Sequence, residues 1–103
     1  MNRIERIQQM LQASPKDNFL RHALALEKIK EGKDEEAERL FVSILNDSPE
    51  YVGSYYHLAK LLERKGQTEK AIEWYERGMK TAKAAADNHA YNELQSAYEE
   101  LIY

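Results

Sequence analysis

Apolar residues recur at helical spacing along the whole chain. Ile4, Ile7, Met10 and Leu11 share one helical face, Leu24 and Leu58 lie on the apolar stripes of two later segments, and Tyr91, Leu94 and Tyr98 form a last one. No run alternates apolar and polar positions, and Val and Thr are scarce, so no strand is expected. Read between turn residues, the pattern predicts six helices at about 2–13, 16–31, 34–47, 49–65, 68–85 and 88–102. The linkers are short, so consecutive helices should pack as antiparallel neighbours within a single domain spanning 1–103.

The pattern repeats. Ser14-Pro15 returns as Ser48-Pro49, Leu24-Ala25 as Leu58-Ala59, Gly32 as Gly66, Ala37 as Ala71, and Phe41 as Tyr75, all at an offset of 34 residues. Each pair has a physical task in a helical hairpin. Gly32 and Gly66 follow runs of helix formers and suit the left-handed position that closes a helix. Asp34 and Thr68 are side chains able to cap the next helix. Ser14 and Ser48 are cap types, each followed by a proline that the first helical position tolerates. Ala37 and Ala71, one turn into the second helix, let two helix backbones approach closely.

These residues resemble the tetratricopeptide repeat, in which an aromatic, a Leu and a small residue are followed by Ala, an aromatic and Pro. One unit reads Tyr55-x-x-Leu58-Ala59-x-x-Leu62, then Ala71-x-x-x-Tyr75; the other reads Leu24-Ala25, Ala37-x-x-x-Phe41, then Pro49. Arg21 and Lys28 depart from the pattern, standing where aromatics are expected. Tyr91-x-x-Leu94-x-x-x-Tyr98 is a third copy of the first-helix pattern, 36 residues after Tyr55. The resemblance implies an all-α fold, a right-handed superhelix of antiparallel helix hairpins. Its parts would be a cap helix at 2–13, repeats at 18–51 and 52–87, and a second cap helix at 88–103.

The resemblance further implies a non-catalytic protein-interaction module in which first helices line a concave groove for a peptide or helix of a partner. Helical phase, with Leu24 and Leu58 turned inward, places Phe19, His22, Leu26 and Ile29 on that groove from one helix. The next contributes Gly53, Tyr56, His57, Lys60 and Arg64, and the last His89, Asn92, Glu93 and Ser96. The surface has an apolar start, an aromatic and basic middle, and a polar end. Tyr beside Lys and Arg is a combination suited to anchoring an interface. Some members of the family grip chaperone C-terminal carboxylates with groove Lys and Asn. The matching positions here hold His22, Leu26, His57, His89 and Glu93, which disfavours that role.

Composition narrows the remaining options. Net charge is −3 with a pI near 5.6, and both signs alternate along every segment, which argues against a nucleic-acid partner. The chain has no cysteine, excluding disulfides and thiol chemistry. No apolar run reaches the roughly 20 residues of a membrane span, and the N-terminus mixes Arg3, Glu5 and Arg6 among its apolar residues, so a cytoplasmic protein is expected. No enzyme signature, phosphate loop or metal-ligand spacing is present, so neither cofactor nor metal is expected. His22, His57 and His89 read as surface histidines, and Trp74 as packing. Leu101, Ile102 and Tyr103 should stay partly exposed, giving a monomer or a weak homodimer through terminal helices. The competing readings are a homo-oligomeric scaffold or, less favoured, a helical-repeat nucleic-acid binder.

Overall fold

A computed structural model describes residues 1–103. The chain forms six helices and no strand: α1 (Arg3–Ala13), α2 (Asn18–Lys30), α3 (Asp34–Asp47), α4 (Gly53–Arg64), α5 (Thr68–Ala84) and α6 (Asn88–Ile102). They fall into two compact units, Met1–Ser48 and Pro49–Tyr103.

The helix ends follow local chemistry, with two corrections to the sequence reading. Ser14 and Ser48 do not open helices; they close α1 and α3, their N–H groups donating to Met10 O and Ile44 O. The following proline explains this, because it drives the preceding residue out of the helical region. Ser14 (φ −137°, ψ 72°) and Ser48 (φ −140°, ψ 77°) both lie outside it. The first helices therefore start later than expected, α2 at Asn18 behind an Asp17 cap that accepts from Leu20 N at 2.9 Å. Asp34 and Thr68 likewise do not act as caps. They are the first residues of α3 and α5, and the cap positions, Lys33 and Gln67, make no side-chain cap bond. Asp34, Glu35 and Glu36 instead place negative charge on the first turn of α3, where the helix dipole favours it.

The expected left-handed glycines are present, Gly32 at φ 76° and Gly66 at φ 77°. Each lets the next residue's N–H reach back five residues, Lys33 to Lys28 O and Gln67 to Leu62 O, both at 2.9 Å. The end of α5 closes in the same way, Asp87 N to Ala82 O at 2.9 Å, but over Ala86 at φ 56°. A Cβ in this region costs about 1 kcal/mol or more. Ala86→Gly should therefore stabilise the chain by about 1 kcal/mol and Gly66→Ala should cost about as much, both read from urea midpoints. Opposite signs for the two substitutions are the result that tests the geometry.

In the first unit, α1 packs on α2 and α2 on α3. Its core is Ile7, Leu24, Ala25, Ala37, Phe41, Ile44 and Leu45, with Ala37 fully buried at the close approach its size permits. Of the α1 stripe only Ile7 is buried; Ile4 and Leu11 are half-buried and Met10 is exposed. The two residues that break the repeat pattern, Arg21 and Lys28, are buried as well. Arg21 Nη1 donates to Asp47 Oδ2 at 2.8 Å and Ser43 Oγ at 3.0 Å, and Nη2 to Asn18 Oδ1 at 2.7 Å and Lys16 O at 3.1 Å. This guanidinium ties α2, α3 and the turn before α2 together, and its hydrogen bond holds the Asp47 carboxyl below its usual range. Lys28 Nζ pairs with Glu36 Oε1 at 3.2 Å.

In the second unit α5 packs on both α4 and α6. The core is Tyr55, Leu58, Ala59, Leu61, Leu62, Ala71, Tyr75, Ala82, Leu94 and Ala97. Tyr55 occupies the position equivalent to Arg21, and its hydroxyl donates to Pro49 O at 2.6 Å. Its ring lies against Gly78, where an added Cβ would stand 2.7 Å from Tyr55 Cβ and 3.1 Å from Leu94 Cδ1. Gly78 thus sets how closely α5 approaches α4 and α6. Trp74 is half-buried, 6.0 Å from the Tyr55 ring and with the Arg77 guanidinium 4.1 Å from its own centroid. At the end of α6, Leu101 is half-buried, Ile102 exposed and Tyr103 almost wholly exposed.

Candidate binding face

The residues expected on a groove come from α2 in the first unit and from α4 and α6 in the second. On α2, Phe19 is exposed at 73%, while His22, Leu26 and Ile29 are half-buried. The His22 ring meets the Phe41 ring edge-on, centroids 5.5 Å apart, so one side of it is committed to the core.

The denser set of interactions is in the second unit. On α4, Gly53 and Arg64 are exposed, and Tyr56, His57 and Lys60 are half-buried. The Tyr56 and His57 rings are perpendicular at 5.5 Å. Burial pushes the His57 imidazole below its ordinary pKa of 6.5, opposed by the carboxylate of Glu93 on α6. On α6, His89, Asn92, Glu93 and Ser96 are all exposed.

Lys60 Nζ lies 3.7 Å from Glu63 Oε2, and the same carboxylate accepts a short hydrogen bond from the Tyr75 hydroxyl on α5. Burial, then that carboxylate, drives the Tyr75 pKa far above its normal value. Glu63 is the residue that the sequence reading missed. The available signal was its position three residues after Lys60, one helical turn away.

Because His57 resists protonation in the folded chain, its neutral form contributes stability that is complete above pH 6.5, the unfolded value. That contribution is lost as pH falls from there toward the depressed folded value. Thermal midpoints should fall between about pH 7.5 and pH 5.5, and His57→Gln should flatten this interval. A midpoint equally pH-dependent in His57→Gln would assign the titration elsewhere.

The three histidines form no ligand set, and no cluster of three or more His, Asp or Glu side chains is arranged to hold a metal ion. No helix is long and apolar enough to cross a membrane.

Helical hairpins repeating at 34 residues, with left-handed glycines and fully buried alanines at matching places, define a helical-repeat protein. The tetratricopeptide repeat profile matches residues 28–98, and the chain belongs to that family. A tetratricopeptide repeat domain protein from Salinibacter ruber is 39% identical over 85% of this chain and 89% of its own, with a TM-score of 0.82. A protein from Bordetella parapertussis is 24% identical over 98% of this chain and 88% of its own, with a TM-score of 0.84. The TPR2B domain of yeast Sti1, solved as a complex with pHsp70, is 15% identical over 95% of this chain and 78% of its own, with a TM-score of 0.87. Comparison with functionally curated proteins returned no match. Repeats of this family generally mediate protein–protein interactions, and the fold is generally non-catalytic.

Proposed function

We propose that the chain is a non-catalytic interaction module that binds a peptide or helix of a partner protein along its first helices. In this reading the repeats at 18–51 and 52–87, flanked by the cap helices at 2–13 and 88–103, act as one binding domain. Phe19, His22 and Leu26 contribute from α2, Tyr56, His57, Lys60 and Arg64 from α4, and Asn92 and Ser96 from α6. The observation that carries the reading is the half-exposed Tyr56 ring, braced by His57 and set beside Lys60 on a helix whose opposite side is core. A ring held in place by packing loses little freedom on binding, which is why aromatic residues anchor interfaces. The yeast domain of the same fold, solved as a complex with pHsp70, supports a protein partner of some kind. The groove positions used for chaperone carboxylates hold His22, Leu26, His57 and Glu93 here, which points to a different ligand.

The test is a pull-down with the intact chain, followed by titration of the captured partner. Tyr56→Ala is expected to weaken binding by about 1–3 kcal/mol, as for an interface anchor. Glu73→Ala, an exposed change on α5, is expected to leave affinity unaltered. The reverse result would assign recognition to the second helices.

A further inference from the structure

The charge that the α4 and α6 face can offer a partner is negative, although its sequence reads as basic at the centre. Lys60 is occupied by Glu63 at 3.7 Å. Arg64 has an interaction of its own within the fold. Glu93 and Glu100 on α6 are exposed; Glu93 faces His57, and Glu100 acts on the Tyr75 hydroxyl, as Tyr56 and Glu63 do. His57, kept neutral by burial at pH 7, does not offset Glu93. Nor does any other group on that helix: α6 contains Glu93, Glu99 and Glu100 and no Lys or Arg. From Ala84 to Tyr103 the chain has Asp87 and these three glutamates, no Lys or Arg, and His89 as its one imidazole. Charges without a partner on an exposed face act on an approaching ligand, whereas paired ones are largely spent.

Resting on the reading of this face as the binding site, we propose that its partner is a basic peptide segment whose Lys or Arg side chains lie beside Glu93 and Glu100 and which packs on the Tyr56 ring. The ring suits such a segment twice over. It offers apolar area, and its π face attracts a cation. Lys60 then acts as a built-in competitor, holding Glu63 in a pair that a ligand cation would otherwise use. Attraction of this kind raises the association rate and is strongest at low ionic strength.

The experiment uses the full chain and three fluorescein-labelled peptides that share Leu and Tyr positions and carry lysines, glutamates or glutamines at the remaining ones. Fluorescence anisotropy at low salt is expected to show the lysine peptide binding at least about tenfold more tightly than the glutamate peptide, with the gap closing at high salt. Glu93→Gln with Glu100→Gln should remove most of that preference while leaving the circular dichroism spectrum and melting unchanged, since both side chains are exposed. Lys60→Gln should tighten the lysine peptide by freeing Glu63. Equal binding of the lysine and glutamate peptides, or none by either, overturns the inference, as does a lysine preference that survives the double Glu→Gln change. Tyr56→Ala separates this from the underlying reading. Binding that shows no charge preference yet falls in Tyr56→Ala leaves the face as the site and removes only its basic partner, whereas peptide binding indifferent to Tyr56→Ala removes the face itself.

Discussion

Gly78→Ala is expected to destabilise the second unit by about 1–3 kcal/mol, although alanine is the better helix former by about 1 kcal/mol. The steric term prevails because the added methyl would stand 2.7 Å from Tyr55 Cβ and 3.0 Å from its Cγ. Those atoms sit next to the backbone of α4 and cannot swing aside as the end of a long side chain would. Relief requires α5 to move away from α4, which loosens contacts along both helices in a close-packed interior. For a chain of this size the change corresponds to a fall in melting temperature of roughly 5–15 °C. Gly53→Ala supplies the contrast. Its Cβ meets nothing within 4 Å, so the same substitution there should be neutral or slightly stabilising. A Gly78→Ala chain as stable as the parent in urea would mean that the two helices are not held at this distance.

The second large effect is expected at Arg21. Arg21→Ala should cost about 1–3 kcal/mol, mainly through the lost packing of a buried side chain, because its partner Asp47 is exposed and regains water. The change also strips hydrogen bonds from Asn18, Ser43, Asp47 and the Lys16 carbonyl. A subtler test uses the repeat itself. Arg21 and Ile44 stand 34 residues before Tyr55 and Gly78, so the two units solve one packing problem with different pairs. Arg21→Tyr and Ile44→Gly should each destabilise the first unit. Together they recreate the second unit's pairing and should recover about 1–3 kcal/mol relative to the sum of the single changes, a coupling measurable in a double-mutant cycle. Strict additivity would show that the two positions do not share a packing site.

How much of this was legible in the sequence depends on whether a residue type has one structural meaning or several. Gly32 and Gly66 follow helix formers at a fixed period, and a left-handed turn is nearly their only use there. Ala37 and Ala71 recur where bulk would be refused, and both proved fully buried. Ser-Pro is ambiguous, since the pair can open a helix or end one. The non-helical backbone that proline imposes on the preceding serine decided for the end, and α2 and α4 began later as a result. Gly78 carried no visible signal, because a glycine inside a helical stretch reads only as a weak helix former until the Tyr55 ring lies across it. Arg21 and Lys28 read as departures from the pattern because charge suggests a surface. Asp47 and Glu36, 26 and eight residues further on, are what make their burial possible. On the candidate face, helical phase placed Tyr56, His57 and Lys60 together, but it could not reveal that Glu63 neutralises Lys60 and thereby changes the sign of the charge left for a partner.

The position of Trp74 gives the molecule an optical label. It is the chain's single tryptophan, set 6.0 Å from the Tyr55 ring and 4.1 Å from the Arg77 guanidinium, all within the second unit. Its emission therefore reports on the packing of α4 against α5. Far-ultraviolet ellipticity, by contrast, sums over all six helices. Overlaying the two signals along one denaturant titration separates a chain that melts as one cooperative block from a chain whose halves let go in turn, with no dye or engineered probe attached.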